Sequence, residues 1–222
     1  MCGRFTLALE AGELEGEFPG VRFPIQFAAR YNIAPSQPVL AIANDGKKVA
    51  DFLVWGLIPS WAKDASIGNR LINARGETLA EKPAFRGSYK YKRCLVLADG
   101  FYEWKSDAGS RTKVPHYIRL ADGRPFGFAG LWSEWRTADG SELRSCTIVT
   151  TTPNSLMATI HNRMPVILQP ADHELWLDPA PKQPGDLAHL IRAYPAALMR
   201  AFPVSTLVNN PANDQPQCVL PV

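Results

Sequence analysis

Residues 93–105, RCLVLADGFYEWK, carry an apolar run at 94–98 and then alternate toward their end. The pattern reads as a buried strand whose far end turns Phe101 and Glu103 to one face and Tyr102 and Trp104 to the other. Glu103 is therefore expected amid aromatic bulk. On either side, Asp-Gly pairs at 45–46, 122–123 and 139–140 each separate two β-prone runs. Asp and Gly tolerate positive φ, so each pair predicts a hairpin: 37–44 with 48–55, 115–120 with 125–132, and 133–137 with 142–151. Helical signals are fewer. PNSLMATI after Pro153, with Asn154 or Ser155 as cap, ADHELWL near 171–177, and GDLAHLIRAYPAALMRAF with a break at Pro195 predict helices peripheral to the sheets. The expected fold is α+β, a single β-rich domain over residues 1–222 with a barrel-like central sheet.

Composition narrows the function classes. With 46% hydrophobic and 20% charged residues the chain is an ordinary folded protein with no disordered tract. Its 24 basic and 21 acidic residues leave a net charge of only +3, so a nucleic-acid site would have to come from locally clustered arginines. Cys2, Cys94, Cys146 and Cys218 are widely spaced without a CxxC pair, so neither a metal site nor a cofactor is expected. Cys94 and Cys146 lie in β-type apolar runs and read as buried hydrophobes. No signal sequence or apolar stretch of membrane-crossing length is present, and a cytoplasmic location with reduced thiols is expected.

Cys2 reads differently. Cysteine is small enough at position 2 for Met1 removal to be expected, which would leave an amine and a thiol on adjacent carbons. An α-amino group titrates at about 7.7–8.0, so part of it is neutral at physiological pH and can attack an aldehyde to form a Schiff base. The thiol can then close a thiazolidine. Taken alone, Cys2 reads more readily as an incidental residue of a frayed terminus. Three other stretches embed polar groups in apolar or strand-like surroundings: LINARGET around Asn73, DGFYEWK around Glu103 and IHNRMPVIL around His161. Buried polar groups need partners.

Six stretches in order, MCGRF at 1–5, RYNIAP at 30–35, WGLIPSW at 55–61, LINARGET at 71–78, ADGFYEWK at 98–105 and IHNRMPVIL at 160–168, resemble the SRAP-domain family of abasic-site-processing proteins. The resemblance spans nearly the whole chain. It implies that Cys2 captures the aldehyde of an abasic site in single-stranded DNA as a covalent crosslink, shielding the lesion during the response to DNA damage. It further implies that Asn73 holds the sugar hydroxyl or the Cys2 backbone, that Glu103 is the acid/base group, and that His161 exchanges protons with the opened sugar or the imine. Aromatic surroundings should raise the Glu103 pKa by desolvation. Arg4, Arg75 and Arg163 sit near these groups and suit phosphate oxygens, with Arg86 a weaker candidate. Trp61 is expected either to stack on a base beside the lesion or to lie in the core. Strand cleavage by β-elimination, crosslink reversal and self-removal of Met1 are further implied activities. A monomer is expected, with abasic single-stranded DNA as partner, nucleoid-associated when bound, and with no protein partner to infer.

Two other readings fit the same residues. A cysteine hydrolase would use Cys2 with His161 as base to cleave peptides in trans. A noncovalent single-strand-binding module would need only Arg4, Arg75, Arg163 and Trp61.

Overall fold

In the computed structural model, residues 2–106, 112–137 and 139–222 are described. In chain order the strands are β1 (Phe5–Leu7), β2 (Arg30–Ile33), β3 (Pro38–Ala43), β4 (Ala50–Trp55), β5 (Asn73–Arg75), β6 (Arg93–Ala98), β7 (Gly100–Ser106), β8 (Lys113–Leu120), β9 (Phe126–Arg136), β10 (Glu142–Thr151), β11 (Met164–Pro165), β12 (Ile167–Leu168) and β13 (Met199–Pro203). Three short helices, α1 (Ala11–Glu17), α2 (Arg86–Tyr91) and α3 (His173–Leu177), lie between them.

Five strands close a ring. β4, β3, β6, β9 and β10 pair antiparallel in that order, and β10 returns to β4 in parallel through Ser145↔Val54 and Cys146↔Trp55. Closure removes the open edges that a sheet must otherwise protect. β5 and β11 attach to the far half of β10, and β12 to β9. The second sheet is antiparallel throughout, in the order β13-β8-β7-β1-β2. This is a β-rich α+β fold, as expected. No helix among the described residues is long and apolar enough to cross a membrane.

The stretch 93–105 is not one strand but two, one in each sheet, and Asp99 is the joint. The Thr6 hydroxyl donates to one oxygen of the buried Asp99 carboxyl, the Ala8 N–H donates to the other at 2.9 Å, and the Asp99 N–H donates to the Thr6 carbonyl at 3.0 Å. β1 is thereby fastened where the chain changes sheets. Gly100 follows because a Cβ there would lie 2.2 Å from the Tyr117 hydroxyl. Beyond it the alternation holds. Phe101 enters the main core, where Phe5 packs edge-on to Trp55 at 5.0 Å and Phe101 to Phe128 at 5.9 Å. Tyr102 enters a smaller cluster on the other face with Tyr117, Val204, Val208 and Cys218. Each such fully buried side chain contributes about 1.5–3 kcal/mol.

Arg93 opens the stretch and is fully buried. Nε donates to the Trp176 carbonyl, Nη1 to the Tyr89 and Lys90 carbonyls, and Nη2 to those of Asp178 and Ala180. Tyr89 and Lys90 lie in the last turn of α2 and Trp176 in that of α3, where carbonyls lack partners within the helix, and Asp178 and Ala180 follow α3. One guanidinium thus ties both helices to the barrel.

The hairpins at 45–46 and 139–140 form as expected, β3 with β4 and β9 with β10. The one at 122–123 does not. Gly123 has φ +77 and makes a tight turn onto the Leu120 carbonyl, but β8 joins β7 and β13 while β9 joins β6, β10 and β12. The turn residues predicted the reversal correctly, whereas the choice of partner was made by the two sheets. The helix expected over GDLAHLIRAYPAALMRAF reduces to 3-10 turns at Ala188–Leu190 and Ala196–Leu198, and its end is the strand β13. Pro195 stops propagation, and β8 offers Met199–Pro203 a full ladder. PNSLMATI holds only a 3-10 turn at Met157–Thr159, with the Asn154 side chain accepting from the Met157 N–H at 2.8 Å as its cap.

Candidate active site

The site forms where the two sheets meet. Cys2 precedes β1, whose pairing with β7 (Phe5↔Phe101, Thr6↔Gly100) carries residues 2–4 along the strand bearing Glu103. The Tyr102 N–H donates to the Arg4 carbonyl at 2.9 Å and extends that contact. From the barrel side, β5 and β11 flank the end of β10, with Thr150 opposite Arg75 on one side and Pro165 on the other. Asn73 and the His161–Arg163 turn therefore approach from neighbouring positions.

Asn73 reaches Cys2 directly, its Nδ2 donating to the Cys2 carbonyl at 2.8 Å. Cys2 is fully buried, and burial together with the negative charge of Glu103 pushes its thiol well above the ordinary range. Glu103 is also buried, and desolvation raises its carboxyl to about 7, against the pull of the chain's terminal amine and, more weakly, of the Lys113 charge. It can therefore hold or release a proton near neutrality, unlike an exposed glutamate. Lys113 acts on His161 too, which is half-buried and whose pKa is lowered mainly by desolvation. His161 Nδ1 lies 3.1 Å from the Arg163 N–H, which can donate to it, and 3.3 Å from the Arg163 carbonyl, which can accept from it.

The arginines divide. Arg75 is exposed. Arg4 is turned into the protein: Nη1 donates at 2.7 Å to both Asn32 Oδ1 and the Val208 carbonyl, and its guanidinium lies 5.8 Å from the Trp104 ring centre. Arg163 is also engaged, donating through both Nη atoms to Glu77 at 2.6 and 2.9 Å and through Nη2 to the Thr150 carbonyl at 2.7 Å. Trp61 is exposed, not in the core. It lines a depression of about 330 Å³ with Arg86 and Tyr91 that shares no residue with the Cys2 cluster.

Three groups went unassigned in the sequence reading. Asn32, fully buried in RYNIAP, receives Arg4 and donates to the Asn210 and Asn213 carbonyls at 3.0 and 2.7 Å, holding the C-terminal segment against β2. Asp99 lies inside ADGFYEWK and Glu77 inside LINARGET. The only signal available was a polar residue within an apolar motif, since each partner is remote in sequence or across a turn. Cys94, Cys146 and Cys218 are buried free thiols. Among the described residues no group of three His, Cys, Asp or Glu side chains is arranged around a metal.

The chain is similar to several known proteins. Abasic site processing protein YoqW of Bacillus subtilis is 47% identical over 222 residues, covering 99% of both chains. Abasic site processing protein HMCES of Gallus gallus is 33% identical over an alignment covering all of this chain and 78% of that protein. A crystal structure of a Bacteroides thetaiotaomicron protein superposes over the full length of both chains with a TM-score of 0.89 at 26% identity. Residues 1–211 match the family described as SOS response associated peptidase (SRAP), and the chain belongs to that family.

Proposed function

We propose that the protein processes abasic sites by capturing their aldehyde on Cys2 in single-stranded DNA. The observation that carries the reading is the contact of Asn73 with the Cys2 carbonyl beside a buried glutamate that titrates near neutrality. After loss of Met1, the Cys2 amine adds to C1′ of the opened sugar, and water leaves to give an imine. The thiol sulfur then bonds to that carbon and its proton passes to the nitrogen, so aldehyde and aminothiol give a thiazolidine plus one water. Protonated Glu103 supplies the proton for ring opening, and His161 exchanges protons with the imine. A raised thiol pKa suits this order, because the sulfur is held neutral until the imine exists. It also weighs against a trans-acting cysteine hydrolase, whose attacking species is the thiolate. Abstraction of the proton adjacent to the imine would give strand cleavage, and the same groups run backward would reverse the link.

The test uses mature protein, Cys2→Ala, Cys2→Ser and a form with one residue added before Cys2, each incubated with single-stranded DNA carrying one abasic site. Mature protein should form a heat-stable adduct. Cys2→Ser should give only a labile link, and the extended form none. Crosslinking by the extended form would overturn the role of the amine.

A further inference from the structure

Arg163 suits a phosphate by type, yet its side chain is only 15% exposed and both Nη atoms are committed. The partner is Glu77, which stands two residues after Arg75, so one ion pair joins the turn carrying His161 to the strand carrying Asn73. Thr150 of β10 completes the junction, accepting from Nη2 through its carbonyl at 2.7 Å and its hydroxyl at 3.2 Å. Gly76 lets the chain pass close to this point, since a Cβ there would lie 3.2 Å from the same carbonyl and 2.1 Å from Ile191 Cγ2. The backbone of Arg163 meanwhile brackets the imidazole. Its N–H, 3.1 Å from Nδ1, can donate to a ring that carries its proton on Nε2, and its carbonyl, 3.3 Å away, can accept from Nδ1 when that nitrogen is protonated, so the placement of this turn bears on which form is held.

We propose that Glu77 is a positioning residue: by clamping the Arg163 fork on the β5 side of β10, it fixes the turn that sets the orientation and proton placement of His161. A bidentate carboxylate–guanidinium pair defines both distance and plane, which a single hydrogen bond does not. With Glu77 half exposed the pair adds little stability, so the consequence of the clamp is geometric. The inference rests on the proposed role of His161 in proton transfer, but it has a readout of its own. The charges that act on His161 are the chain's terminal amine and, more weakly, Lys113 of β8, and both lie outside the clamp, while Arg163 acts through its backbone.

The experiment compares wild type with Glu77→Gln and Arg163→Lys by nitrogen-15 NMR of labelled histidines through a pH titration, alongside single-turnover adduct formation on abasic single-stranded DNA. In wild type, neutral His161 should carry its proton on Nε2. Both variants should mix the tautomers, move the His161 titration upward as the ring gains solvent, and slow adduct formation about ten- to a hundredfold, as misplacement of a proton-transfer group does. Affinity of Glu77→Gln for undamaged single-stranded DNA should be unchanged. Two folded variants with wild-type His161 spectra would overturn the inference. So would Glu77→Gln that binds undamaged DNA more tightly and crosslinks faster, since Glu77 would then be competing with phosphate for Arg163. If wild type forms no adduct, the aldehyde-capture reading fails, and the NMR comparison still decides the role of Glu77. Melting curves identify a variant that has failed to fold, and the other then carries the comparison.

Discussion

Glu103 is held where burial is costly to a carboxylate, and this makes a double prediction. A carboxyl raised from the ordinary range to about 7 binds its proton more tightly in the folded chain. Its contribution to stability is therefore full at low pH and is lost as pH rises to 7 and beyond. Glu103→Gln removes the charge, so it should be more stable than wild type at pH 8–9, by up to about 3 kcal/mol, with the gain vanishing near pH 4. The same variant should form adduct about a hundredfold more slowly. Urea unfolding at several pH values and single-turnover kinetics check the two halves; a pH-independent stability difference would contradict the burial argument. Cys2, Asn73, Glu103 and His161 were legible as candidates because their chemistry is written in short motifs. Glu77, Asn32 and Asp99 were not, because each acts through a partner that only the folded chain supplies.

Among the elements, β6 and β7 show how far local pattern carries. Alternation gave the correct faces for Phe101, Tyr102, Glu103 and Trp104, but nothing local marks Asp99 as the point where the chain leaves one sheet for another. The helices α1 and α2 escaped notice because they are short and present little apolar periodicity. α2 persists through tertiary contacts, chiefly Arg93 on the carbonyls of Tyr89 and Lys90. Replacing Arg93 by Met should leave the carbonyls of Tyr89, Trp176, Asp178 and Ala180 without this donor, whereas that of Lys90 keeps the Lys182 N–H at 3.0 Å. A buried acceptor left unsatisfied costs about 1–3 kcal/mol, so a loss of several kcal/mol is expected. Thermal and urea unfolding measure it, and a loss below about 1 kcal/mol would mean that water or neighbouring groups replace the guanidinium.

At the scale of the molecule, a β-rich, barrel-like fold was readable from turn chemistry. The parallel return of β10 to β4 was not, because it joins segments far apart along the chain. The same holds for the charge distribution. With a net charge of only +3, DNA affinity must depend on particular cations, and the structure separates exposed Arg75 from the internally bonded Arg4. Arg75→Ala should flatten the salt dependence of binding to undamaged single-stranded DNA by about 0.7 in the log–log slope. Arg4→Ala should instead lower the unfolding midpoint. Fluorescence titrations at several salt concentrations distinguish them, and a flattened slope with unchanged stability for Arg4→Ala would reverse the assignment.

The central claim is that the aminothiol of Cys2 takes up the lesion aldehyde through both nitrogen and sulfur. Intact mass of the mature protein after incubation with a single-stranded oligonucleotide bearing one abasic site, followed by peptide mapping, tests it most directly. The predicted species is protein plus oligonucleotide minus one water, with the added mass confined to the peptide that begins at Cys2. Mature protein that binds this DNA yet yields no such mass, or carries it on any other residue, would contradict the account.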